Sequence, residues 1–173
     1  MEQLNTKYPL LINNKYGYVD PSIITYFVDI KKKGLARINL MKAYTKINPY
    51  IYFIIELASL ILNENNIKHF KNEWDIDIIQ YNLSGEIDVN STLALHKEDD
   101  NGHHMISVLF YLRKDDTLID GNLIYIDKDK NKQKIIIKNE TTLIMDGRVY
   151  HQPELCSGYG YRQTIIVGFI RNY

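Results

Sequence analysis

Short apolar segments punctuated by turn residues, behind an N-terminal third patterned as helix, predict an α+β, mainly β chain. The expected architecture is a double-stranded β-helix (jelly-roll) core with N-terminal helices packed on one sheet. The segments Asp77–Leu83, Ser91–His96, Met105–Leu112, Asn122–Ile126, Gln133–Lys138, Thr141–Met145, Val149–Glu154 and Arg162–Arg171 have the length and composition of strands. Turn residues separate them at Ser84-Gly85, Asp100-Asn101-Gly102, Asp120-Gly121, Asp129 to Asn131, Asp146-Gly147 and Gly158 to Gly160.

The helical elements come first. Asp20-Pro21 supplies an N-cap and a proline suited to the first helical position. Ile23, Ile24, Phe27 and Val28 follow at helical spacing, and Lys31-Lys32-Lys33-Gly34 supplies cations and a glycine stop. Asn48-Pro49 opens a second helix. Tyr50 to Leu62 is apolar almost all round, which predicts a helix covered on most sides, ending at Glu64 to Asn66. Residues 1–72 read as a mainly helical support region and 73–173 as the β core of one domain. No linker, internal repeat or low-complexity segment marks a second domain.

Composition excludes several function classes. Lys plus Arg and Asp plus Glu are 21 each in 173 residues, so no net field draws the chain to nucleic acid or to an anionic membrane. MEQLNTKYPLLINNKYG lacks the apolar run of a secretory signal, and no segment has the length of a membrane span. Cys156 is the only cysteine, so no intrachain disulfide forms, and a cytoplasmic location is the expectation. The 14 tyrosines follow a general Tyr, Ile and Asn richness and point to no function.

The chemistry concentrates in His96-Lys97-Glu98, His151 and Arg162. In a strand, positions i and i+2 share a face, so His96 and Glu98 reach one point while Lys97 turns away. Two imidazoles and one carboxylate on one side of a metal leave positions open for further ligands. Arg162 and Thr164 likewise share a face at the start of an apolar strand. If that face is interior, the guanidinium demands an anion, and a carboxylate ligand would serve. Each residue alone has a plainer reading: a solvated His-x-Glu pair, a histidine bonded to backbone, a surface arginine. Their order and spacing favour the metal site.

From Ile79 to the C-terminus the chain resembles the Fe(II)- and 2-oxoglutarate-dependent dioxygenases, most closely the prolyl 4-hydroxylase branch. IIQYNLSG, HKEDDNG, SVLFYLRKDD, IDGNLIYID and TTLIMDGRVYHQPELCSGYGYRQTIIVGF carry the resemblance, in the family's order. It implies that His96, Glu98 and His151 hold Fe(II). It implies that Arg162, helped by Thr164 and the Tyr111 hydroxyl, pairs with the far carboxylate of 2-oxoglutarate, and that Tyr81 lines the same pocket. It also implies hydroxylation of a C–H bond with release of succinate and CO2, and ascorbate as an accessory reductant. The substrate expected is a prolyl residue of a peptide or an amino-acid-like small molecule. Asp115 to Gly121 and the segment near Tyr16 to Tyr18 are the candidate grips on a peptide.

Two departures stand out. Glu98 occupies a position where the family usually has Asp, and the extra methylene moves the carboxylate roughly 1.5 Å. Asp99 is the rival third ligand if the turn begins early. Asn122 replaces a usual glycine and either reshapes the entrance or has no effect. His103 and His104 read as loop histidines, Cys156 as inert and Trp74 as core. Two other readings stay open: an inactive binding module on this fold, and a cupin-like metal enzyme without 2-oxoglutarate, in which Arg162 and Tyr111 are structural.

Overall fold

A computed structural model describes residues 9–13, 19, 49–72, 76–84, 94–98 and 103–171, and the backbone of 34–40. In chain order the elements are β1 (Leu10–Asn13), β2 (Gly34–Leu40), α1 (Pro49–Glu64), β3 (Phe70–Lys71), β4 (Ile76–Ser84), β5 (Met105–Lys114) and β6 (Leu118–Asp120). Then follow β7 (Leu123–Ile126), β8 (Lys132–Ile135), β9 (Thr141–Asp146), β10 (His151–Pro153) and β11 (Cys156–Arg171). The main sheet runs β1-β9-β5-β11-β4-β2, with β3 and β6 also paired to β11, and a smaller sheet runs β10-β7-β8. The two curled antiparallel sheets make the predicted jelly-roll core. Among the described residues, no helix is long and apolar enough to cross a membrane.

The main sheet is covered on both faces, so its strands read as apolar runs rather than clean alternations. All six residues of β9 are buried, as are the first eight of β5. Parity still sorts the side chains. Ile76 and Ile78 of β4, Ile106, Val108 and Phe110 of β5, and Ile165, Val167 and Phe169 of β11 join Ile51, Ile54, Leu57, Ala58, Ile61 and Leu62 of α1 in one core. The alternate residues Leu109, Tyr111, Leu143 and Met145 face the smaller sheet and meet Leu123 and Ile137. The molecule is therefore helix, sheet, sheet, with the second interface available for a site.

Helix α1 starts at Pro49 as predicted. It ends in a Schellman motif: the Ile67 N–H donates to Leu62 O (2.9 Å), the Asn66 N–H to Asn63 O (3.0 Å), and Asn66 takes φ 58°. It is not covered on most sides, however. Tyr50, Tyr52, Phe53 and Leu60 are exposed, and burial follows the single stripe of residues that faces the sheet.

The predicted Asp20–Lys33 helix and Trp74 lie outside the described residues. Strands β1, β2, β3 and β6 have no counterpart in the sequence reading. β1, β3 and β6 have two to four residues, and for all four strands pairing with distant strands rather than local pattern creates them. Of the expected Ser91–His96 strand, 91–93 lie outside the described residues, and within 94–98 only His96 forms a bridge. The expected strand Val149–Glu154 starts later, because Asp146 to Val149 closes a turn (Val149 N–H to Asp146 O, 3.0 Å).

Gly158 to Gly160 is not a turn between strands. β11 runs through it, with φ 101° at Gly158 and 129° at Gly160. This glycine-bent stretch lets β11 pair with β6 before it enters the main sheet. Asp115 to Gly121, expected as a grip on substrate, is itself held down. Asp115 accepts from Arg113 (2.6 and 2.9 Å) and from the Tyr161 N–H (2.9 Å), and β6 pairs with β11. Tyr16 to Tyr18 lie outside the described residues.

Candidate metal centre and adjoining pocket

His151 opens β10, opposite Tyr125 of β7 on one side and opposite His96 on the other. Reciprocal backbone bonds of 2.9 and 2.8 Å join His96 and His151. The 94–98 segment thus extends the smaller sheet and lays the two imidazoles side by side, with ring centroids 4.4 Å apart. Glu98 comes in at i+2, and its backbone N–H donates to Gly147 O (2.9 Å), while Lys97 is exposed. The Glu98 Oε1 atom lies 3.3 Å from His96 Nε2 and 3.7 Å from His151 Nε2. All three donor atoms fall within 4.8 Å of one another, a set that could hold one metal ion.

The tautomers follow from the partners. His96 Nδ1–H donates to Ala94 O (2.8 Å) and His151 Nδ1–H to Val149 O (2.9 Å); a carbonyl only accepts, so the proton of each neutral ring sits on Nδ1. Both Nε2 lone pairs then face the carboxylate. Three acceptors this close need a positive charge among them, which suits a divalent metal. Burial pushes the Glu98 carboxyl up, while hydrogen bonds and charge from the His151 and His96 rings, which require a proton on Nε2, pull it down to about 2. Those Nε2 protons and a divalent metal are alternatives, since either supplies the positive charge that an ionised Glu98 carboxylate needs.

Backbone packs closely behind Glu98. A Cβ at Gly147 would sit 2.9 Å from Met105 O and 3.3 Å from Glu98 Cβ, so glycine there allows the Glu98 strand to lie close against the β9 turn. Asp99, the rival ligand, lies outside the described residues.

Beyond the triad, a pocket open at one mouth runs between the sheets. Arg162, Thr164, Tyr111 and Tyr81 all line it with the triad. Tyr81 lies opposite Arg162 in the β4 pairing, and Tyr111 opposite Thr164 in the β5 pairing, just past a bulge at Gln163. The Arg162 guanidinium lies 5.5 Å from the Tyr81 ring centre and 5.8 Å from that of Tyr111. Arg162 is only 5% exposed, and its Nε has no hydrogen-bond partner among the described residues. Burial pushes the Tyr111 hydroxyl up to about 12 despite the nearby Arg162 charge, so it stays a donor. A buried cation beside a neutral phenol and a threonine hydroxyl has the chemistry to take one carboxylate.

No protein-family model matches the chain, and no curated protein sequence does. Solved structures do. A prolyl hydroxylase from Trichoplax adhaerens, in complex with a hypoxia inducible factor peptide fragment, is 17% identical with a TM-score of 0.61, over 98% of this chain and 86% of its own. The viral collagen prolyl hydroxylase of Paramecium bursaria chlorella virus-1, in its 2-oxoglutarate complex, is 14% identical with a TM-score of 0.64, over 96% and 97%. HygX from Streptomyces hygroscopicus, with nickel, 2-oxoglutarate and hygromycin B bound, is 11% identical with a TM-score of 0.62, over 95% and 83%. The chain has the fold of the 2-oxoglutarate- and Fe(II)-dependent oxygenases.

Within this fold the structure also places residues that local sequence left ambiguous. Asn122 is a bracket behind the pocket and does not line it. Its Nδ2 donates to Glu154 Oε2 (2.7 Å), its Oδ1 accepts from the Ile137 N–H (3.1 Å), and Lys134 pairs with the same Glu154. His103 is exposed, but His104 is buried: its Nε2 meets Asp146 Oδ1 (3.1 Å), and Arg148 closes on the same carboxylate (2.9 Å). That network anchors the turn whose Gly147 and Val149 carbonyls hold Glu98 and His151. Cys156 is buried, and burial pushes its thiol up, as expected of an inert cysteine.

Two pocket residues were missed. Asp77 and Ser107 sit four positions before Tyr81 and Tyr111 on the same faces of β4 and β5, and both line the pocket. Carrying the period of two back along each strand finds them.

Proposed function

We propose that the chain is an Fe(II)- and 2-oxoglutarate-dependent oxygenase that hydroxylates a C–H bond of a prolyl residue or an amino-acid-like small molecule, releasing succinate and CO2. The observation that carries this reading is Arg162: a buried guanidinium with an unpartnered Nε, in the pocket that also holds a two-histidine, one-carboxylate cluster. A cupin-like enzyme without an acidic cosubstrate gives no reason to bury that charge.

His96, Glu98 and His151 would hold the metal from one side, with the Nε2 and Oε1 atoms as ligands. Bound there, iron with 2-oxoglutarate supplies the oxidising chemistry, and the chain supplies position and dryness. Arg162 would clamp the distal carboxylate, with the Tyr111 and Thr164 hydroxyls donating to the same group and Tyr81 flanking it. Ile79, Leu109, Leu123, Met145 and Ile166 wall the pocket with hydrocarbon, which keeps competing water from the acid.

Thermal unfolding of the apo protein with Mn(II), with and without 2-oxoglutarate, tests the proposal. Cosubstrate at a hundred times its dissociation constant should stabilise the fold by about 2.7 kcal/mol. The gain should require the metal and should vanish in His151→Ala. No shift with either ligand would sink the oxygenase reading.

A further inference from the structure

The triad and the cosubstrate clamp stand on different sheets. His96, Glu98 and His151 lie along the extended smaller sheet, whereas Tyr81, Tyr111, Arg162 and Thr164 belong to β4, β5 and β11 of the main one. The turn from Asp146 to Val149 joins β9 of the main sheet to β10, so it fixes where one set lies against the other. Its carbonyls also hold two of the three ligands. Gly147 O accepts from the Glu98 N–H (2.9 Å), and Val149 O accepts from His151 Nδ1–H (2.9 Å).

One buried side chain holds that turn. Asp146 Oδ1 accepts from the Arg148 N–H (3.0 Å), from Arg148 Nε (2.9 Å) and from His104 Nε2 (3.1 Å), and Oδ2 accepts from Arg148 Nη2 (2.5 Å). A carboxylate only accepts, so the His104 proton in this bond sits on Nε2. His104 is in turn fixed from the core side. Its ring stands edge-on to Phe70 with centroids 5.3 Å apart, and its carbonyl accepts from the Arg171 N–H (3.0 Å). The next residue, Met105, accepts from the Gly147 N–H (2.9 Å). His104 Nδ1 has no hydrogen-bond partner among the described residues, so among them Asp146 is the ring's one polar anchor. A buried charge pair often gives a fold no more stability than apolar residues of the same volume. What this pair adds is direction, because it sets where the Gly147 and Val149 carbonyls point.

Resting on the metal site of the oxygenase reading above, we propose that His104, Asp146 and Arg148 are positioning residues for the metal, holding the turn so that Glu98 and His151 meet at one point. None of the three is a ligand; they act through the Gly147 and Val149 carbonyls. Arg148 is exposed and pulls the carboxylate toward solvent, while His104 is buried and pulls it toward the core. Without the His104 bond the carboxylate follows Arg148 outward, and Gly147 and Val149 move with it. Glu98 and His151 then drift from His96, whose own Nδ1–H stays on Ala94 O (2.8 Å). Outer partners that orient metal ligands typically contribute about ten- to a hundredfold to metal affinity.

The test is the Mn(II) affinity of the full-length, metal-free chain, read from the EPR signal of free Mn(II) well below each variant's melting temperature. His104→Phe keeps a ring and removes the donor, and it should weaken Mn(II) binding at least about tenfold. His104→Gln, whose amide nitrogen reaches the place of Nε2, should restore most of the lost affinity. Arg148→Leu changes an exposed side chain and should weaken binding about threefold, in keeping with a half-exposed charge pair. A role in stability alone would lower the melting temperature and leave the affinity of the folded chain unchanged. Wild-type affinity in His104→Phe, or no recovery in His104→Gln, overturns the proposal. If His104→Phe does not fold, wild-type affinity in Arg148→Leu overturns it. If the wild type itself binds no Mn(II), the oxygenase reading and the positioning role both fall; with wild-type binding present, a failure concerns the positioning role alone.

Discussion

The two faces of β4, β5 and β11 are one residue apart in sequence and opposite in purpose. On the outer face, Ile78, Val108, Ile165, Val167 and Phe169 are at most 1% exposed and close on α1. The buried polar pair on that side meets across the strands, with Gln163 Nε2 donating to Gln80 Oε1 (2.7 Å), while the Gln163 Oε1 has no hydrogen-bond partner among the described residues. On the inner face, Arg162, Thr164, Tyr111, Ser107 and Asp77 are as well buried but point into an open pocket. The difference teaches how the fold divides its labour: one face stabilises through area removed from water, while the other gives up part of that stability to bury polar and charged groups along a pocket.

Mutations on the two faces should therefore separate stability from binding. Phe169→Ala on the outer face should cost about 3–5 kcal/mol of unfolding free energy by urea titration, with 2-oxoglutarate affinity retained by the folded fraction. Arg162→Met on the inner face should do the reverse. Removal of a buried guanidinium whose Nε has no hydrogen-bond partner among the described residues should leave apo stability unchanged or higher, while calorimetric affinity for 2-oxoglutarate with Mn(II) falls by at least about a hundredfold. A clear loss of apo stability in Arg162→Met would mean that the guanidinium already has a protein anion, and the contrast between the faces would fail.

The smallest effect concerns the turn that serves the triad. Burial pushes the Asp146 carboxyl up, but hydrogen bonds from His104 and Arg148 bring it down from 3.8 to about 2. A depressed acid stabilises the fold fully above its unfolded value and loses that contribution as pH falls through the folded value. Asp146→Asn should accordingly flatten the fall in stability between about pH 4 and pH 2, read from urea midpoints across that range.

The site was more legible than the support around it. Strand parity alone places Glu98 beside His96, and Thr164 on the face of Arg162, because alternation is a local property of extended backbone. β4, β5 and β9 were legible for the same reason, being long and strongly apolar. Strands β2 and β6 were not: Gly34–Leu40 carries a weak pattern and becomes a strand by lying against β4, and Leu118–Asp120 does so by lying against β11. The glycines at 158 and 160 read as a turn because positive φ is what glycine supplies, whether the chain reverses or only bends.

Sequence by itself determined the fold class, the pairing of His96 with Glu98 and the shared face of Arg162 and Thr164, since each rests on pattern or spacing along the chain. Only the tertiary structure decided which histidine nitrogens face the carboxylate, because Ala94 O and Val149 O are backbone groups whose direction no side-chain pattern records. It also decided that Asn122 braces Glu154 and Ile137, and that Asp77 and Ser107 share the pocket of the triad, because those relations join strands that are neighbours only after the sheets have closed.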